Sequence, residues 1–234
     1  MEKTFNSPIE WTTYNEQLGH IFTRFNINSK SSKNLENLSS NPQFITDLLL
    51  SFNKSVNQDL SRFEKYDIDL IVQYLEFSHK YYLEQRLPKI AQTVWSLLKG
   101  NKENNTIIIF LANFFYTYCE DLKRHFEYEE KYLFPYSKLL YAKNKFPKFI
   151  DEKDTFLTSY SIKKFKEFHV NHEEKELQAV KDALLNYKPG LDNNLSYRIL
   201  LEQLKSFEKD MQLHGLIEDL VLIPKLEKLE LNEK

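Results

Sequence analysis

Two copies of one short pattern place side chains that could hold metal ions at matching positions. His125 is followed four residues later by Glu129, and His214 is followed in the same way by Glu218. A proline comes six residues after each glutamate, so both copies read H-x3-E-x5-P. On a helix, residues four apart project from one face, so an imidazole nitrogen and a carboxylate oxygen can reach the same ion. Two copies therefore suggest two metal ions.

Each copy is preceded by a further histidine at a nearly equal distance. His79 lies 46 residues before His125, and His169 lies 45 residues before His214. His172 is an alternative to His169 that the spacing favours less. It could also be a residue that contacts the ligands without binding the metal itself. The chain thus reads as a duplicated unit with the length of an antiparallel helix pair. Two such pairs predict a four-helix bundle with ligands that converge on its core.

The chemistry of this set follows from its atoms, which are imidazole nitrogens and carboxylate oxygens with no thiolate. Such a set suits iron, manganese or zinc and argues against an iron–sulfur centre. Glu129 and Glu218, from facing helices, could each bridge two ions that are completed by two imidazoles apiece. A solvent-derived bridge would add a further ligand and leave a position on each ion for dioxygen, nitric oxide or peroxide.

The bulk composition excludes several other classes of protein. The chain of 234 residues carries 32 basic and 34 acidic side chains, so attraction to nucleic acid or to an anionic membrane is not expected. Residues 106–119 form the most apolar stretch, which is too short and too polar to span a bilayer. Cys119 is the only cysteine, which excludes an internal disulfide and a CxxC motif. With no secretory signal pattern, we expect a cytoplasmic protein.

Helices are predicted for most of the chain, because only four glycines and seven prolines interrupt it. The predicted fold class is all-α, with a small N-terminal helical region at residues 1–62 and an antiparallel up-down four-helix bundle at 63–234. Pro88, Pro135 and Pro224 are expected to kink or end their helices. The four long helices are predicted at residues 67–98, 105–141, 157–185 and 192–229.

These ligands, in this order on four helices, resemble the hemerythrin-like domain. The likeness is greatest to bacterial di-iron proteins of the repair-of-iron-centres type, also described as regulators of cell morphogenesis and nitric oxide signalling. It rests on the segments HFEYEEKYLFPY (125–136) and HGLIEDLVLIPK (214–225) and covers about residues 65–230. The resemblance implies an oxo- or hydroxo-bridged pair of iron ions with histidine terminal ligands and glutamate bridges. The ligands it implies are His79, His125, Glu129, His169, His214 and Glu218.

The resemblance also implies a role in nitrosative or oxidative stress. The protein would bind nitric oxide or dioxygen, or donate iron to repair the centres of iron–sulfur proteins. Two features differ from the family: residues 25–32 contain no cysteine where repair-type members carry a vicinal pair, and the Leu87-Pro88 dipeptide is displaced by about one residue. A second hypothesis is a di-iron sensor that acts through a protein partner. A third is an interaction module with purely structural histidines.

Overall fold

The computed structural model describes residues 16–25, 41–52, 60–100, 105–149, 155–168, 177–179, 182 and 195–232. The regular secondary structure in these ranges is entirely helical, and no strand occurs among them. This confirms the all-α class for the described residues. The chain divides into two compact units, Met1–Tyr66 and Asp67–Lys234.

The described residues of the first unit form the helices α1 (Glu16–Arg24) and α2 (Pro42–Phe52) and a short 3-10 turn, Leu60–Phe63. Helix α2 begins at Pro42, because proline fits the first turn of a helix and Asn41 Oδ1 accepts the Phe44 N–H at 3.3 Å. The Phe44 ring meets the edge of Tyr66, with 4.9 Å between ring centroids. These contacts join the helix to the segment that follows it.

The buried carboxylate of Asp47 in α2 binds the side chains of Lys65 and Tyr66. Asp47 accepts the Tyr66 hydroxyl at 2.5 Å and lies 2.8 Å from the Lys65 ammonium. Burial acts to raise the pKa of Asp47, but the bonds from Lys65 and Tyr66 outweigh it and hold the pKa below its ordinary value. Asp47 therefore has a structural role. In the part of this unit that the structure describes, no set of metal-ligand side chains comes together.

In the second unit, three of the described helices are long, and one turn of π-helix interrupts each of them. The parts of the first two are α3 (Ile68–Tyr81), π1 (Tyr82–Arg86), α4 (Leu87–Gly100), α5 (Asn105–Tyr128), π2 (Glu129–Leu133) and α6 (Phe134–Lys145). Two short helices, α7 (Thr155–Ser159) and α8 (Ile162–Phe168), come next. The last long helix consists of α9 (Leu195–Ile217), π3 (Glu218–Leu222) and α10 (Ile223–Asn232).

The predicted interruptions at Pro88, Pro135 and Pro224 take the form of these π turns. Each proline lies six residues after the first residue of its π turn. Proline has no N–H for the carbonyl four residues back, and its ring crowds that carbonyl. The residue before it bonds five residues back instead, as the Leu87 N–H does to the Tyr82 carbonyl. The turns before the other two prolines close in the same way.

In the described residues of the third predicted helix, the structure differs from the prediction. In place of one helix from residue 157, α7 ends at Ser159 and α8 begins at Ile162. Ser161 lies between them, and its Oγ accepts the Lys164 N–H at 3.3 Å. Serine is a favoured N-cap because it satisfies an N–H that the first turn leaves without a partner, so a new helix begins here.

The contacts between helices bring the three π turns near one another. Helix α3 packs against α6, α9 and π3, whereas α4 packs against α5 and α9. Helix α10 packs against α6 and α8. Side chains such as Ile90, Leu122 and Leu204 form the core between α4, α5 and α9, and burying each stabilises the fold by about 1.5–3 kcal/mol. None of the described helices combines the length and apolar character needed to cross a lipid bilayer.

Candidate metal centre

Side chains from all three long helices meet in one buried cluster. His79 of α3, Glu129 of π2 and His214 of α9 each place one ligand atom within 4.8 Å of the other two. The Nε2 atom of His79 lies 3.2 Å from Nε2 of His214 and 3.1 Å from Oε2 of Glu129. The exposed fraction is 0% for His79 and Glu129 and 3% for His214. Three of the six predicted ligands therefore converge away from solvent.

Two further predicted ligands lie beside these three. His125 Nε2 lies 2.7 Å from Glu129 Oε1, which is the other oxygen of that carboxylate. Glu129 thus directs one oxygen toward His79 and the other toward His125. Glu218 Oε2 lies 3.9 Å from Nε2 of His214. The predicted ligand His169 and its alternative, His172, lie outside the described residues.

The distances within the cluster fit neighbouring ligands of a metal ion. Metal bonds to histidine nitrogen and carboxylate oxygen are about 2.0–2.1 Å long, which places adjacent ligand atoms about 2.9–3.4 Å apart in octahedral or tetrahedral geometry. The separations of 3.1 and 3.2 Å around His79 Nε2 lie within that range. The donor atoms are those that iron, manganese and zinc accept.

The hydrogen-bonding pattern of His79 leaves a lone pair on Nε2 that faces Nε2 of His214 and an oxygen of Glu129. Its Nδ1 lies 3.1 Å from Oε1 of Glu130, and a carboxylate only accepts, so this nitrogen carries the hydrogen. In a neutral imidazole, Nε2 then presents a lone pair to the Glu129 oxygen 3.1 Å away. Two acceptors at that distance repel each other. A metal ion between them would turn the repulsion into attraction.

Glu130 contacts the cluster and is not part of the repeated H-x3-E pattern. A ligand histidine commonly donates its second ring N–H to a carboxylate, which fixes the tautomer and orients the ring. The available signal was an acidic residue directly after each H-x3-E pattern, which is Glu130 in one copy and Asp219 in the other. The sequence analysis used only the first glutamate of each pair.

Replacing Glu130 with alanine should weaken metal binding by about 10–100-fold, the usual effect of losing such a support. The variant leaves every predicted ligand in place and removes only the acceptor of the His79 Nδ1–H. Titration of the metal-free protein with Fe²⁺ under anaerobic conditions measures the affinity. Glu127→Ala is the matched control. The Glu127 side chain is exposed, and its ion pair with Lys123 is long, at 3.9 Å. Equal affinities in the two variants would refute the role of Glu130.

The Glu218 carboxyl group tends to hold its proton in the metal-free cluster. Burial raises the pKa of Glu218 well above its ordinary value of 4.5, and the negative charge of Glu129 raises it further. His125 opposes this shift. The folded protein therefore binds a proton here that the unfolded chain releases at lower pH. A bound cation would reverse this preference by stabilising the carboxylate.

The metal-free protein should lose stability as the pH rises from about 4.5 through the folded-state pKa of Glu218. The sign follows from the raised pKa, because the folded state must release a proton that the unfolded chain has already lost. Glu218→Gln keeps the size of the side chain and removes this titration. Thermal unfolding of chelator-treated proteins from about pH 5 to pH 8 should show a shallower pH dependence in the variant. Superimposable pH profiles would show that Glu218 does not titrate as described.

Aromatic rings enclose the cluster. Phe126 stacks on His79 with 3.8 Å between ring centroids, and Phe134 approaches the same imidazole at 5.2 Å. Tyr82 meets His214 edge-on at 5.8 Å. Because Phe126 also belongs to the core between α4, α5 and α9, the packing of that core holds the imidazole in position. The apolar surroundings strengthen every electrostatic interaction within the cluster.

The first long helix contains a π turn like those of the other two, but a different type of side chain stands at its first position. A π turn begins with Glu129 in π2, with Glu218 in π3 and with Tyr82 in π1. Tyr82 does not supply a carboxylate, and its hydroxyl donates instead to Asp210 Oδ1 at 2.8 Å. The sequence analysis did not detect this third copy, because H-x3-E is absent from it and only the proline spacing remains.

Comparisons with protein-family models, with curated proteins and with solved structures gave no match for this chain. The resemblance to hemerythrin-like proteins therefore stays a prediction from the sequence. The case for a metal centre rests on the chemistry and geometry of five side chains, which are His79, His125, Glu129, His214 and Glu218.

Proposed function

We propose that this protein binds two iron ions inside an antiparallel up-down four-helix bundle of the hemerythrin-like type. The contacts between the first two long helices support this arrangement. The first half of each helix packs against the second half of the other: α3 against α6, and α5 against α4. Helices that run in opposite directions pair in this manner. The segment that contains α8 would supply the remaining helix, and α8 contacts α10.

The observation that carries the proposal is the position of Glu129 between histidines from two helices, with an oxygen 3.1 Å from His79 and the other 2.7 Å from His125. One ion would be held by His79, His214 and one oxygen of Glu129. The second would be held by His125, by the other oxygen of Glu129 and by Glu218. His169 is proposed to complete the second set.

A bound di-iron centre, bridged by an oxo or hydroxo group, would supply reversible redox chemistry and positions for a small diatomic ligand. The residues of this chain would hold it in buried, aromatic surroundings and keep the His79 Nδ1–H on Glu130. We propose that the protein acts in the cytoplasm in nitrosative or oxidative stress. It would bind nitric oxide or dioxygen, or release iron for the repair of iron–sulfur proteins. Manganese and zinc also fit the donor atoms.

A di-iron sensor that acts through a protein partner is the second candidate. The observation that favours it is the separate compact unit Met1–Tyr66, which has a buried core of its own around Phe44 and Phe63. A unit of this kind could carry a partner-binding surface. Deleting it should abolish cellular protection and leave nitric oxide binding intact if the sensor hypothesis holds.

Metal analysis combined with spectroscopy tests the proposal. The purified protein is reconstituted with Fe²⁺ without oxygen, freed of excess metal, and examined by elemental analysis and by optical and Mössbauer spectroscopy with and without nitric oxide. We expect about two iron ions per chain, magnetically coupled and perturbed by nitric oxide. Well under one iron per chain would contradict both di-iron hypotheses and leave an interaction module with structural histidines.

A further inference from the structure

Four tyrosines form a continuous series that begins at the residue before Glu129. Tyr128 directly precedes Glu129, and its ring centroid lies 4.9 Å from that of Tyr132 in π2. Tyr132 stacks on Tyr160 at 6.1 Å, and Tyr160 meets Tyr136 edge-on at 5.0 Å. Each ring is thus in contact with the next.

The last member of the series has a proton acceptor in place. The buried Tyr136 donates its O–H to Glu230 Oε1 at 2.6 Å, and the Ile162 N–H also donates to this oxygen at 2.8 Å. A phenol that loses an electron becomes a strong acid, so a carboxylate within hydrogen-bonding distance lowers the free-energy cost of its oxidation. Tyr136 is therefore the member of the series best placed to hold an oxidising equivalent.

Packing alone does not account for four phenols in this region. Phenylalanine fills space without a hydroxyl group, and the chain does use it beside these tyrosines, where Phe156 stacks on Tyr160 and Phe165 stacks on Tyr128. Burial raises the pKa of Tyr160 far above its ordinary value, and the nearby Tyr128, Tyr136 and Glu129 raise it further. Tyr160 therefore stays protonated and gives up its proton only when it also gives up an electron.

We propose that Tyr128, Tyr132, Tyr160 and Tyr136 form an electron relay to the His/Glu cluster, with Glu230 as the acceptor of the Tyr136 proton. The relay would give the protein a peroxide-reducing activity. This inference rests on the proposed function, because the cluster needs a redox-active ion to accept electrons from the relay.

The reaction balances with hydrogen peroxide as the oxidant. Its O–O bond breaks, it takes up two electrons and two protons from solvent, and it leaves as two water molecules. Two phenols of the relay each lose one electron and one proton, and each becomes a neutral phenoxyl radical. The proton of Tyr136 goes to Glu230, and that of the half-exposed Tyr132 goes to solvent. A hydrogen-atom donor of the ascorbate class in solution restores both O–H bonds.

The test is electron paramagnetic resonance of the full chain, loaded with iron and oxidised in air to the ferric state, then frozen at intervals after mixing with stoichiometric hydrogen peroxide. We expect a tyrosyl radical whose hyperfine splitting changes when the protein is made with ring-deuterated tyrosine. Tyr136→Phe should remove most of this signal, and Glu230→Gln should lower its yield, each at unchanged iron content. Tyr141→Phe is the matched control, because Tyr141 lies on the same helix and its hydroxyl accepts from Lys145 instead.

Iron content measured on the same samples distinguishes failure of the proposed function from failure of the relay alone. A wild-type protein that binds no iron would overturn the proposed function and the relay together. A wild-type protein with two iron ions and no tyrosyl radical after peroxide would overturn the relay alone. An unchanged radical in both Tyr136→Phe and Glu230→Gln would also overturn it.

Discussion

Glu129→Ala should lose most of the iron that the wild-type protein binds. The side chain lies between two histidines, and its removal takes one ligand from each proposed ion. The loss of affinity should therefore exceed the roughly 10–100-fold effect of removing a residue that only supports a ligand. Iron per chain after anaerobic reconstitution, measured by elemental analysis with the protein concentration from amino-acid analysis, gives the result.

Two variants serve as controls for Glu129→Ala. Glu127→Ala removes a carboxylate from the same helix at an exposed position, and His20→Ala removes the histidine that lies outside the repeated pattern. Both should retain the iron content of the wild type. The assignment of Glu129 as a bridge is wrong if all three variants bind as much iron as the wild type and melt at the same temperature.

Removal of the metal should lower the melting temperature of the wild-type protein by about 5–11 °C. An ion that binds only the folded state stabilises it by about 2.7 kcal/mol at a free concentration 100 times its Kd, and each kcal/mol moves the melting temperature of a chain of this size by about 2–4 °C. The cause is electrostatic: the buried carboxylate of Glu129 and the lone pair of His79 Nε2 face each other, and a bound cation would attract both.

Calorimetry of the chelator-treated protein, with and without Fe²⁺ added back, measures this effect. Glu129→Ala is the reference, since its melting temperature should respond weakly to Fe²⁺. A rise of equal size in the variant would show that iron binds elsewhere on the chain. No rise in either protein would show that the cluster is held by protons on its histidines and carboxylates instead of by metal.

The ligand cluster was accessible to sequence analysis because coordination ties residue type to helical spacing. His125 with Glu129, and His214 with Glu218, each place two donors on one face of a helix. The equal spacing of the preceding histidines pointed to His79, which the structure places within the cluster. The prolines marked the interruptions of the long helices, because a missing N–H and a crowding ring have a fixed effect on the helix that precedes them.

Other features depend on contacts between distant parts of the chain, which local spacing does not encode. His79 meets Glu130 across 51 residues, and Tyr82 meets Asp210 across 128 residues. The break before α8 is local, because Ser161 caps the new helix, but apolar residues on both sides of this serine predict one continuous helix. The sequence also does not show which histidine each oxygen of Glu129 meets, since only side-chain packing decides this.

Anomalous diffraction at the iron absorption edge, from crystals of the iron-loaded protein, tests the central claim most directly. We predict two anomalous peaks in the cluster, with Glu129 between them, one peak bonded to His79 and His214 and the other to His125. The contrary result would be well-ordered crystals in which no peak lies within bonding distance of these histidines. The side chains would then form a buried, proton-linked polar network with no metal.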